Sequence, residues 1–199
     1  MPLEYENRMG HLYYLHEGKT RTGKPRYYVS RSLEGNPIES VPEGYEIHEL
    51  PERAQVVLRK VTHTAIKPFE REQVEQGLRR YGGLNHFVVD VQEHSLVVYL
   101  PLMSEAECAE IVADLAGPML LSTSRRLDEK RERLLRRSPY EKMLRFVLTS
   151  PDRRLFRAER WCYRGSINCW ISLHDSAPLG DLVKKHAVHL GTDSLFELM

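Results

Sequence analysis

The chain has 199 residues, 41% hydrophobic and 29% charged, with 12 glycines, 11 prolines and 3 cysteines; this average composition excludes collagen-like, coiled-coil and wholly disordered chains. The length suffices for one core with a small appended module, and no apolar run approaches the roughly 20 residues that span a bilayer. The net charge of +1 predicts no bulk attraction to nucleic acid or membrane.

The first eight residues, Met-Pro-Leu-Glu-Tyr-Glu-Asn-Arg, hold no apolar segment and no small-residue cleavage pattern, so a soluble, cytoplasmic chain is expected. Residues 1–63 read as a β-rich module. Strands are expected over 11–17, 26–32, 45–50 and 55–62, punctuated by the turn clusters Glu34-Gly35-Asn36-Pro37 and Pro42-Glu43-Gly44. Residues 64–199 read as an α+β body. Pro68 opens a helix in which Val74, Leu78 and Tyr81 share a face, and Gly82-Gly83 ends it. Residues 87–91 and 96–100 form a hairpin.

Ser104 and Glu107 make a capping box, because the hydroxyl and the carboxylate can satisfy each other's orphan amides at a helix start. Cys108, Ile111, Val112 and Leu115 follow as an apolar stripe, stopped by Gly117-Pro118. Ser124 caps a basic helix that runs to about Arg137 and ends at Ser138-Pro139. Three strands follow, over 142–149, 154–163 and 167–174, with Ser150-Pro151-Asp152 as a type I turn. Leu179, Leu182, Val183, His186, Ala187 and Leu190 trace the buried stripe of the next helix, and a short helix ends the chain. Tight hairpins and segregated helices make the expected class α+β with antiparallel sheet.

Gly165-Ser166 suits a two-residue type II′ turn, which wants glycine first. That turn fixes the register: Tyr163 faces Asn168, Cys162 faces Cys169, Trp161 faces Trp170 and Arg157 faces His174. Sides alternate along strands. One face then carries Phe156, Ala158, Cys162, Ile167, Cys169, Ile171 and Leu173, read as core and interrupted by Arg160 and Arg164. The other carries Arg157, Glu159, Trp161, Tyr163, Asn168, Trp170, Ser172 and His174. The tryptophans meet at a non-hydrogen-bonded position, where side chains approach closest. Two readings of their face stay open: core beneath a helix, with Leu144, Phe146 and Leu148 on the same side, or a polar-rimmed aromatic patch for a base, a sugar or a partner side chain. Cys162 and Cys169 oppose each other at a hydrogen-bonded pair, where a Cα separation of about 5.5 Å makes a bridge workable though not favoured; in a reducing compartment buried free thiols are expected instead.

Charge is unevenly spread. Residues 1–120 hold 13 Lys/Arg against 18 Asp/Glu, residues 121–164 hold 14 against 6, and residues 165–199 hold 2 against 4. The basic helix from Arg125 and Arg126 to Arg137 is the best sequence argument for phosphate contact, and a nucleic-acid-associated protein would use the basic block 125–164. Against it, Asp128, Glu129 and Glu132 sit at helical pairing distances from the arginines, as in a self-paired solvated helix.

Other motifs fall short of a chemistry. Gly18 to Lys24 nearly spells a phosphate-binding loop, but Pro25 replaces the required hydroxyl and a strand follows where a helix is needed. His186 and His189 share a helix side without a further ligand at metal spacing. No cofactor and no metal are expected. His174 with Arg157, Glu159 and Ser172 would be the place to look for an undetected enzymatic pocket.

Gly23-Lys24-Pro25-Arg26-Tyr27-Tyr28-Val29-Ser30, Pro42-Glu43-Gly44-Tyr45-Glu46-Ile47-His48-Glu49 and Val57-Leu58-Arg59-Lys60 together resemble a pattern in a family of conserved bacterial proteins without an assigned activity. The resemblance spans about the first 60 residues and implies a bacterial β-rich module, with no functional residue attached. The expectation is a non-catalytic binding or interaction protein whose candidate residues are Trp161, Trp170, Tyr163, Arg157, His174, Arg125 and Arg126. Its partner would be a protein, or a nucleic acid bound by the Arg-rich segment, with no membrane involved.

Overall fold

The computed structural model describes residues 1–116, 124–164, 167–173 and 176–198, with side chains described at all of these except 115, 116, 124, 163, 164 and 167. The fold is α+β with antiparallel sheets. The chain forms two compact units, Met1–Thr62 with Glu105–Pro139, and His63–Ser104 with Tyr140–Met199. The first segment of the first unit ends at Thr62. The stretch Glu105–Pro139 groups with the N-terminal residues, so both units are discontinuous in sequence. Among the described residues no helix is long and apolar enough to cross a membrane.

In the first unit, β1 (Glu4–Glu6), β2 (Leu12–Lys19) and β3 (Pro25–Ser30) form one antiparallel sheet, and β4 (Tyr45–Glu49) pairs with β5 (Val56–Lys60). Asn7 organises the β1–β2 turn: its side-chain oxygen accepts the amides of Met9 (3.1 Å) and His11 (2.8 Å) while its amide donates to the Ala54 carbonyl at 2.7 Å. Arg8 beside it pairs with Glu49 at 2.9 Å. The helices α2 (Glu105–Ala116) and α3 (Ser124–Arg137) pack on each other, burying Cys108, Val112 and Leu135. Ile111, expected in the same stripe, is exposed. Because a helix advances 100° per residue, Ile111 stands at the edge of the face that Cys108 and Val112 centre.

In the second unit the sheet order is β10-β9-β8-β7-β6, with β11 (Ala177–Pro178) also on β9. The strands are β6 (Val88–Gln92), β7 (Ser95–Pro101), β8 (Tyr140–Ser150), β9 (Leu155–Arg164) and β10 (Ile167–Ser172). Strands β7 and β8 are direct neighbours although α2 and α3 lie between them in the chain. One sheet face holds Val89, Leu96, Val98, Leu144, Phe146, Leu148, Phe156, Ala158 and Leu173 in a single core with residues of α1 (Pro68–Gly82) and α4 (Leu179–His186). His186 lies buried in α4, as its place in the apolar stripe leads one to expect.

Two contacts fasten this arrangement. Gly77 in the middle of α1 allows α4 to approach: a Cβ there would stand 2.2 Å from Val183 Cγ1. Glu70, only 2% exposed, accepts the Lys67 amide at 2.8 Å and pairs with Arg154, whose guanidinium also donates to the Ala65 carbonyl. Arg154, expected to begin a strand, instead sits in the β8–β9 turn at φ 51°, and that left-handed backbone aims its side chain at the start of α1.

Candidate outer-face site

The β9–β10 register is the expected one: Cys162↔Cys169, Trp161↔Trp170, Asn168↔Tyr163, Ser172↔Glu159. What differs is where the core stops. Pairing of β8 with β9 ends at Leu144↔Arg160, while β8 continues along β7 to Tyr140, so residues 161–164 of β9 pair with 167–170 of β10 and no longer with β8. Phe156, Ala158 and Leu173 are buried as expected, but Cys162 and Ile171 are half-buried and Cys169 is exposed. The expectation of buried thiols therefore holds for Cys108 only. Arg160 closes the core at this level, buried and donating to the Leu198 carbonyl at 3.0 Å.

Leu144, Phe146 and Leu148 do not share the tryptophan face. Directly paired residues lie on one side of a sheet, and the pairs Phe146↔Ala158 and Leu148↔Phe156 put them in the core on the other side. The outer face instead carries a row across four strands, Val97, Arg145, Glu159 and Ser172.

Glu159 is the anchor of that row. It is 5% exposed and receives Arg145 Nε at 2.6 Å and Arg157 Nε at 2.8 Å. A buried carboxylate is stable only when charged donors replace its lost hydration, and the two guanidinium groups do so. Held this way, Arg145 lies over Trp170, 4.5 Å from the ring centroid. Lys142 Nζ stands 3.9 Å from the centroid of Trp161. The indoles meet edge to face, with centroids 5.0 Å apart and planes at 69°. Both are half-buried, and Trp170 also packs on a small cluster of Val97, Tyr99 and Tyr140. Part of Trp170 is thus structural, and each indole carries a cation against its ring.

Of the expected site residues, Trp161, Trp170 and Arg157 come together here. The Tyr163 side chain and all of His174 lie outside the described residues. Arg125 and Arg126 belong to α3, in the first unit, and both are exposed. The basic block is thus divided between two units, and much of its helical part is self-paired, through Arg125–Glu129, Arg131–Asp128 and Arg136–Glu132. A groove of about 540 Å³ in the first unit is lined by four arginines, Arg8, Arg133, Arg136 and Arg137, but also by Glu6, Glu129 and Glu132. Its charge is nearly cancelled by its own carboxylates.

Lys142, Arg145 and the clamping role of Glu159 escape a reading of the β9–β10 hairpin alone. The opposition of Arg145 and Glu159 becomes readable only once β8 is laid in register on β9. Elsewhere, the Gly18–Pro25 segment is the end of β2, a turn over residues 20–24 closed by Thr20 and Lys24, and the start of β3. Among the described residues no group of three or more His, Cys, Asp or Glu side chains is placed to hold a metal. The chain matches no protein-family model, no curated protein and no solved structure with which it was compared.

Proposed function

We propose that the protein is a non-catalytic binding protein whose recognition surface is the outer sheet face around Trp161 and Trp170. The ligand that suits it presents flat unsaturated rings together with negative charge, and single-stranded nucleic acid carries both in repeating form. The observation behind this reading is the pairing of each indole with a cation, Lys142 on Trp161 and Arg145 on Trp170. Aromatic platforms bordered by Lys and Arg bind single strands by stacking on bases while the cations meet phosphates. Arg145 is pre-oriented by Glu159, so binding need not pay the full entropy of ordering it.

The self-paired arginines of α3 speak against the helix as the main phosphate surface. The test is a titration of intrinsic tryptophan fluorescence with oligothymidylate at low and high salt. Saturable quenching that weakens as salt rises is the expected result. An emission spectrum unmoved by the oligonucleotide at low salt overturns the reading.

A further inference from the structure

Cys162 and Cys169 are direct register partners. Partners lie on the same side of a sheet, and the flanking pairs Trp161↔Trp170 and Asn168↔Tyr163 hold the register on both sides. Counting back from Ile167↔Arg164, alternation puts the cysteines at a hydrogen-bonded position. Cα atoms there stand about 5.5 Å apart, inside the range a disulfide spans. Both are free thiols, with Cys169 exposed and Cys162 half-buried.

Their place in the sheet adds two further conditions. Strand β10 is at the end of the strand order, and the cysteine pair lies beyond the last β8–β9 pair, so the backbone can shift without disturbing the core. Cys108 does not compete, being buried in the other unit.

We infer that Cys162 and Cys169 are a thiol–disulfide exchange site that closes to a cross-strand disulfide when it meets a low-molecular-weight disulfide such as oxidised glutathione. In the first step the exposed Cys169 thiolate attacks one glutathione sulfur. The glutathione S–S bond breaks, a mixed disulfide forms at Cys169, and one glutathione thiol leaves. In the second step the Cys162 thiolate attacks the Cys169 sulfur and expels the other glutathione as a thiol. The two protein thiols lose two electrons and two protons, and the glutathione disulfide takes them up. A bridge at a hydrogen-bonded pair on an exposed end is of the labile kind that glutathione pools can open again. It ties the edge strand carrying Trp170 to the strand carrying Trp161, whatever ligand that face takes.

The test incubates the folded chain with oxidised glutathione, blocks remaining thiols with an alkylating agent under denaturing conditions, and digests with trypsin. Cleavage after Arg160, Arg164 and Lys184 separates the two cysteines. An internal bridge therefore appears as peptide 161–164 joined to peptide 165–184, in a protein that stays monomeric on a non-reducing gel and keeps one alkylated cysteine, Cys108. The Cys162→Ser variant is expected to stop at the mixed disulfide, carrying one glutathione on Cys169. Disulfide-linked dimers, or a stable glutathione adduct on Cys169 of the unsubstituted chain, overturn the inference.

Discussion

Trp161 and Trp170 face each other across β9 and β10 at 5.0 Å, edge to face, yet they are not equivalent. Trp170 packs on the Val97, Tyr99 and Tyr140 cluster, whereas Trp161 does not belong to it. Trp161→Ala should therefore lose little beyond the aromatic pair and the cation contact, about 1–2 kcal/mol. Trp170→Ala should cost more, since it also uncovers that cluster. Urea denaturation of both variants checks the order.

Glu159→Gln keeps the shape of the side chain and removes its charge. Arg145 and Arg157 then lose their charged acceptor, with an expected stability loss of about 2 kcal/mol. Arg145 also loses its fixed place over Trp170. A double-mutant cycle between Glu159→Gln and Arg145→Met should show clear coupling, and additive losses would mean that Glu159 does not hold Arg145.

Gly77→Ala tests the helix packing against helix propensity. Alanine is favoured over glycine in a helix by about 1 kcal/mol, which alone would stabilise α1. A Cβ 2.2 Å from Val183 Cγ1 forces α1 and α4 apart, so the net effect should be a loss of stability. Restoration by Val183→Ala in the Gly77→Ala background would locate the cause.

Glu70→Ala removes a carboxylate that serves both the Lys67 amide and Arg154. Breaking a buried ion pair by deleting one partner typically costs about 3–5 kcal/mol. Thermal unfolding should show a loss near the lower end of that range, because Arg154 is partly exposed.

The first unit should weaken in alkali. Burial, with the Glu49 charge and hydrogen bond adding to it, raises the Tyr5 phenol above its ordinary value of 10.0. Burial, with the Glu107 charge next, raises the Cys108 thiol above 9.0. Both groups ionise earlier in the unfolded chain, so their contribution is intact below these values and is lost as pH rises through the folded-state values. Tyr5→Phe should reduce the slope of stability against pH above about 10.

Most elements could be read from the sequence because their periodicity and turn chemistry are local. Gly165-Ser166 alone implies that Trp161 meets Trp170, since a two-residue connection leaves one register. The inner and outer faces of that hairpin follow from alternation, but how far the core extends does not. Cys162 and Cys169 alternate correctly with Ala158 and are still not buried, because β8 stops pairing at Leu144↔Arg160. The same limit hid the site: Arg145 and Lys142 reach the indoles only through the β8–β9 register, which a four-residue connection with Arg154 at positive φ does not announce. The short β1, the two-residue β11 and the grouping of α2 and α3 with residues 1–62 depend on contacts distant in sequence, for which periodicity carries no signal.

Ligand is expected to meet the protein at the Trp161–Trp170 face. The most direct measurement follows the two indole N–H resonances by NMR as oligothymidylate is added. Both signals should shift progressively and saturate together, and Arg145→Met should weaken the effect. Binding that leaves both indole signals in place while perturbing Arg133 and Arg137 of α3 would contradict the account and move the site to the first unit.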